Sequence, residues 1–92
     1  MTHIDFDDLG GRLRGLLIQL DDILTKDEAA EVEELLEHAE FGEALHTLVW
    51  IIVEEDKRIG RSHFDDIQTL ADRMDVDHEL PEQLPRHVQP AP

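Results

Sequence analysis

The sequence predicts an all-α fold, a compact bundle of about four short helices followed by a loose, Pro-rich C-terminal tail. Three observations carry this expectation. Apolar residues recur at three-and-four spacing in four separate stretches. No segment alternates apolar and polar residues over a strand's length. All four prolines fall beyond residue 80, where helical periodicity has already stopped. The same pattern sets the expected boundaries, a helical domain over 1–75 and a flexible tail over 76–92.

The first helix is carried by Phe6, Leu9, Leu13, Leu16, Leu17, Leu20 and Leu24. Gly10, Gly11 and Gly15 weaken it, each by about 1 kcal/mol relative to Ala. No strand precedes these glycines and their surroundings are acidic, so they are read as close-packing positions and not as a phosphate loop. The tetrapeptide "TKDE" has the form of a capping box, with Thr25 at the cap and Glu28 reaching back to it. It opens a second helix whose inward residues are Ala29, Val32, Leu35, Leu36 and Ala39. "EFG", residues 40–42, marks a tight break before a third helix over about 43–57. Lys57 and Arg58 suit the negative end of that helix, and Gly60 suits the turn. Ser62 caps a fourth helix that turns Phe64, Ile67, Leu70, Ala71 and Met74 inward. In the tail, Val76, Leu80, Leu84 and Val88 offer local docking only, so truncation after Val76 is expected to leave the thermal midpoint nearly unchanged.

Composition narrows the function classes. A chain of 92 residues makes one small domain. Three Phe, one Trp and no Tyr leave its core to Leu and Ile. The absence of Cys excludes disulfides, thiolate metal sites and thiol catalysis together. The start "MTHIDFDD" lacks the pattern of a signal peptide, and no apolar run is long enough for a membrane span, which predicts a cytoplasmic protein.

Charge is the strongest compositional signal. The net charge of −15 argues against direct nucleic-acid binding, which needs clustered Lys and Arg. It is also unevenly spread, since residues 21–56 hold thirteen acidic residues against Lys26 alone. A solvated face and a salt-adapted surface are both ordinary causes of acidity. Salt adaptation spreads acid everywhere, whereas here it is concentrated around Glu31, Glu34, Glu37, Glu40 and Glu43, the pattern that steers a basic partner.

No catalytic constellation emerges. Glu43 and His46 form a single Glu-x-x-His, but carboxylate-bridged di-metal bundles need two such pairs and two further inward glutamates. Ser62 and His63 stand beside Asp65 and Asp66, yet Ser62 is better explained as a cap. No metal, cofactor or enzymatic activity is expected.

The third helix raises a question of its own, because "LVWIIV" is apolar nearly all the way round. Leu45, Leu48, Val49 and Ile52 share one face; His46, Trp50 and Val53 lie on another. One reading makes this the central helix of the bundle, covered on several sides. The other exposes the Trp50 side to a partner, since Trp is the residue most enriched at binding hot spots. The intermediate expectation is a partly buried Trp50 with its ring edge beside His46.

Residues 35–76 also resemble a known family. Leu35–Leu36, the run Glu40–Phe41–Gly42–Glu43–Ala44–Leu45, Glu54–Glu55, and Ile67, Leu70 and Met74 are similar to the MafI-type immunity proteins of bacterial polymorphic toxin systems. The resemblance covers under half of the chain. It implies a small, helical, cytoplasmic inhibitor that binds and neutralises the C-terminal domain of a cognate secreted toxin, often a nucleic-acid-directed enzyme. On that expectation Glu31, Glu34, Glu37, Glu40, Glu43, His46 and Trp50 are the partner-binding residues of a chain that is monomeric when free. The alternative is a homodimeric assembly module that uses the apolar helix as its seam.

Overall fold

The computed structural model describes residues 6–90, and four helices run through them: α1 Phe6–Gln19, α2 Lys26–Glu37, α3 Phe41–Glu54 and α4 Arg61–Arg73. Two short 3-10 turns follow, Asp77–Glu79 and Leu84–His87. The one β pairing among the described residues is an isolated parallel bridge between Ile59 and Val88. The described residues are therefore all-α, as the periodicity predicts.

α3 is the central element, meeting α1, α2, α4 and the second 3-10 turn. Ala44, Leu45, Leu48, Val49 and Ile52 are all 0% exposed, which explains why the helix must be apolar on more than one side. α1 contributes Leu9, Leu13, Leu16 and Leu17 to the same core, and the turn after it, where the sequence predicts continued helix, adds Leu20 and Leu24; the side chain of Phe6 lies outside the described ones. The α1 glycines divide. A Cβ on Gly10 would stand 3.2 Å from Cζ of Phe41, so this position does serve close packing, whereas Gly11 and Gly15 face open space. Asp8 ties α1 to α4, its Oδ2 accepting from Arg12 Nε at 3.0 Å and Arg73 Nη1 at 2.7 Å.

The capping box forms as predicted. Thr25 Oγ1 accepts from the Glu28 amide at 3.1 Å, and Glu28 Oε1 accepts from the Thr25 amide at 2.9 Å. Glu28 does a second job that its local sequence does not announce. The same Oε1 takes Lys57 Nζ at 3.0 Å, with side-chain exposures of only 18% and 17%, and so clamps the start of α2 to the α3–α4 loop. The Thr25 amide and then Lys57 hold the Glu28 carboxyl below its ordinary 4.5, against an opposing desolvation. A depressed folded value means that this stabilisation is full above the unfolded value and is lost as pH falls through the folded one. Glu28→Gln keeps the cap but not the charge. Its thermal midpoint should lie below that of the parent at neutral pH, and the gap should close as pH falls through the depressed folded value. A gap that does not narrow on acidification would assign the loss to packing.

α2, α3 and α4 all end in the same way. After α2 the Glu40 amide donates to the Leu35 carbonyl at 2.9 Å and the Ala39 amide to Leu36 at 3.0 Å. After α3, Lys57 pairs with Ile52 and Asp56 with Val53; after α4, Val76 pairs with Ala71 and Asp75 with Asp72. These are Schellman closures, and each places a non-glycine residue in the left-handed region: Ala39 at φ 55, Asp56 at φ 50 and Asp75 at φ 57. The helix break thus falls at Ala39 and not at Gly42, which lies in the first turn of α3. Ala39, expected to face inward, is exposed because α2 has already ended. Left-handed backbone costs an L-residue about 1–2 kcal/mol, and a new glycine returns part of that as unfolded-state entropy. Ala39→Gly is therefore expected to stabilise by about 0.5–1 kcal/mol, read as a higher denaturant midpoint at unchanged slope. A lower midpoint would show that the strain at Ala39 is negligible.

Two further expectations are corrected. α4 is capped by Gly60, not Ser62; Ser62 is exposed inside the first turn, and His63 Nδ1 accepts from the Gly60 amide at 3.0 Å. The loose tail is also not loose over residues 76–90. Leu84 is 1% exposed and His87 8%, with Val76, Leu80 and Val88 packed against the core. The Ile59 amide donates to the His87 carbonyl at 2.9 Å and the Gln89 amide to the Ile59 carbonyl at 2.8 Å. The His87 Nδ1 lies 2.9 Å from the Lys57 carbonyl, and Arg58 Nη1 donates to the Arg86 carbonyl at 2.9 Å. These residues form a strap over the α3–α4 loop, so the domain continues well past 75. Ala91 and Pro92 lie outside the described residues.

Candidate functional site

The pairing of α2 with α3 creates an open groove between them. Glu28 and Glu31, one turn apart, line it from α2. His46, Thr47, Trp50, Ile51 and Glu54 are spaced along one side of α3 and line it from there, with Glu55 at the helix end. Thr47, Trp50 and Ile51 are half-buried and make the floor; Glu31, Glu54 and Glu55 are exposed along its edges. The floor is thus apolar and the rim anionic, a combination that neither helix has alone.

Trp50 is the pivotal side chain. It is half-buried, and the ring of His46 stands 6.0 Å away, tilted by 43°. The ring reaches into the bundle and still presents surface, the partial burial beside His46 that the sequence predicts. On its other side it shares a small hollow with Val76, Leu80 and Pro81, so the strap helps to bury it. Its Nε1 is buried and has no hydrogen-bond acceptor among the described residues. Tyr and Trp polar atoms usually find partners when buried, so this orphaned donor costs the fold something that a phenylalanine would not.

The seven residues singled out in the sequence do not line one hollow. Glu31, His46 and Trp50 share the α2–α3 groove. Glu40 and Glu43 line a different hollow, with Leu9, Phe41 and Met74. Glu34 and Glu37 are exposed on α2 and line neither hollow; the Glu34 carbonyl lies 2.8 Å from His38 Nδ1. Glu54 and Glu55 were not singled out as partner-binding residues, although they complete the groove. Their signal was present in their one-turn spacing from Trp50 and Ile51, but only the helix pairing shows that this side faces Glu31.

Electrostatically the groove is one-sided. Lys57 is already engaged by Glu28, while Glu31, Glu54 and Glu55 make no ion pair or hydrogen bond through their side chains among the described residues. His46 is exposed beside them. The remaining groups of possible chemistry are spoken for or too open. His63 serves as a helix cap, and Asp65 lies 3.5 Å from Arg61. Among the described residues, one trio of potential metal ligands comes together, Asp75, Asp77 and His78, all exposed. The Glu43 and His46 side chains belong to no such group of three.

No protein-family model, curated protein or solved structure matches this chain. The resemblance of residues 35–76 to immunity proteins accordingly stands on those residues alone. No helix among the described residues is long and apolar enough to cross a membrane.

Proposed function

We propose that this protein is a non-enzymatic binding module that captures a basic surface of another protein in the α2–α3 groove. The specific form of the proposal is an immunity protein that neutralises the C-terminal domain of a cognate secreted toxin by stoichiometric binding. The observation that carries the binding reading is the union of a half-buried Trp50 floor with three carboxylates, Glu31, Glu54 and Glu55, that have no cation of their own among the described residues. The immunity form is supported by the resemblance and by the fit of an acidic groove to the basic clefts of nucleic-acid-directed enzymes. Glu34 and Glu37 contribute long-range attraction from the outer face of α2, and Glu40 and Glu43 extend the acidic field past the helix corner.

The homodimer alternative has less surface to work with. The core face of α3 is consumed within one chain, and the one large hydrophobic residue strongly exposed among those described is Ile18, on α1. Apposing two α3 helices would also bring Glu31, Glu54 and Glu55 of one copy against those of another, opposing association by like charge.

The test is co-expression with a toxin domain encoded beside this chain. The domain alone should arrest growth, the pair should not, and the two should purify as an equimolar complex. In vitro, Glu31→Gln with Glu54→Gln and Glu55→Gln should slow association about tenfold or more, as added salt does, because steering acts on encounter. Glu34→Gln with Glu37→Gln should slow it less. Growth arrest that this protein does not relieve would overturn the immunity reading. An association rate indifferent to both charge removal and salt would overturn the groove as the docking surface.

A further inference from the structure

We propose, resting on the protein-binding reading above, that the groove contains a seat for an arginine side chain, with the guanidinium stacked on Trp50 and bonded by Glu31 and Glu54. Three observations converge on it. Trp50 shares the groove with both carboxylates, Glu54 standing one helical turn beyond it on α3 and Glu31 facing it from α2. Neither carboxylate has a cation among the described residues. Glu28, which lines the same groove, already holds a cation from within the chain, the Lys57 ammonium at 3.0 Å. A carboxylate of this wall thus makes a largely buried ion pair, with side-chain exposures of 17% for Lys57 and 18% for Glu28.

The chemistry selects arginine over lysine. A guanidinium is planar and weakly hydrated, so it can lie on an indole face while its edge N–H groups reach carboxylates on two sides. An ammonium is a compact, strongly hydrated point charge, and its own hydration competes with the ring. Lys57 meets a carboxylate with no aromatic face described beside it, where a point charge suffices. At Trp50 the combination of ring and flanking acids suits a flat cation. His46, 6.0 Å from the indole, closes one end of the platform.

The experiment titrates the full chain with acetylated, amidated tetra-arginine, tetra-lysine and tetra-citrulline at low salt, following the Trp50 indole N–H and the groove amides by two-dimensional NMR. Tetra-arginine should bind about fivefold or more tighter than tetra-lysine, and tetra-citrulline should not bind measurably. In Trp50→Leu, with helix content checked first, the two cationic peptides should bind equally and weakly. If that variant does not fold, Glu31→Gln with Glu54→Gln, two exposed positions, should lower the tetra-arginine affinity and narrow its advantage over tetra-lysine. Equal affinities in the parent chain, an arginine preference that survives Trp50→Leu, or an affinity unchanged by the double Gln variant would each overturn the seat. Of these, equal affinities with shifts confined to the groove leave the binding reading standing. If neither cation perturbs the groove, the seat and the groove-binding reading fall together.

Discussion

A chain ended after Val76 is expected to be largely unfolded at room temperature. The deletion removes Leu84, 1% exposed, and uncovers Ile59, 0% exposed. It also strips the Ile59 amide and carbonyl of His87 and Gln89, and the Lys57 carbonyl of the His87 ring. Replacing one enclosed leucine by alanine costs about 2–5 kcal/mol, and the whole stability of a domain is about 5–15 kcal/mol, with small domains at the low end. Losing Leu84, His87 and Val88 together therefore consumes most or all of it. Leu84→Ala in the full chain should show about 2–5 kcal/mol of this on its own in urea denaturation. A truncated chain whose helical signal and midpoint match the full-length protein would show that the strap adds no stability.

The second large effect concerns Trp50, where stability and binding separate. Trp50→Ala should destabilise by about 2–4 kcal/mol, somewhat less than the 3–5 kcal/mol of a fully enclosed ring, because the indole is only half-buried. Trp50→Phe should change stability by less than about 1 kcal/mol. It gives up part of the ring contact with the strap hollow but removes the buried N–H that has no acceptor, an unmet donor worth about 1–3 kcal/mol. The same Phe variant should bind the basic partner more weakly, since phenylalanine offers a cation a smaller face than indole. Thermal melts and titration of both variants check this. A Phe variant as unstable as the Ala variant would mean that the indole N–H finds an acceptor after all.

The helices were legible in the sequence because burying one stripe of a helix imposes a period. Every leucine read as inward in the first periodic stretch, Leu20 and Leu24 beyond the end of α1 included, is buried, as are Leu45, Leu48, Val49 and Ile52 in α3. The Thr25–Glu28 box was legible because its partners are local. The strap was hidden because 3-10 turns and prolines carry no 3.6-residue period, although Val76, Leu80, Leu84 and Val88 recur at every fourth position. The break at Ala39 was hidden because alanine ordinarily marks helix interiors, so the eye goes to Gly42. The groove was hidden for another reason. Which flank of α2 meets which side of α3 is decided by the rotation of each helix about its axis, and that follows from the packed core and not from either segment alone.

The glycines and the left-handed helix ends of this chain do not coincide. All five glycines have negative φ, while the three positive-φ positions among the described residues belong to Ala39, Asp56 and Asp75. Ala39 and Gly42 are three residues apart, each occupying the kind of site the other prefers, and a Cβ at Gly42 meets nothing within 4 Å. Exchanging the two letters leaves length, composition, charge and isoelectric point untouched. It would relieve the left-handed alanine and replace a helical glycine by the best helix former, for a combined gain of about 1–2 kcal/mol. Two chains indistinguishable by amino-acid analysis or intact mass would then melt several degrees apart. For this fold, order at a single helix corner carries information that composition does not hold.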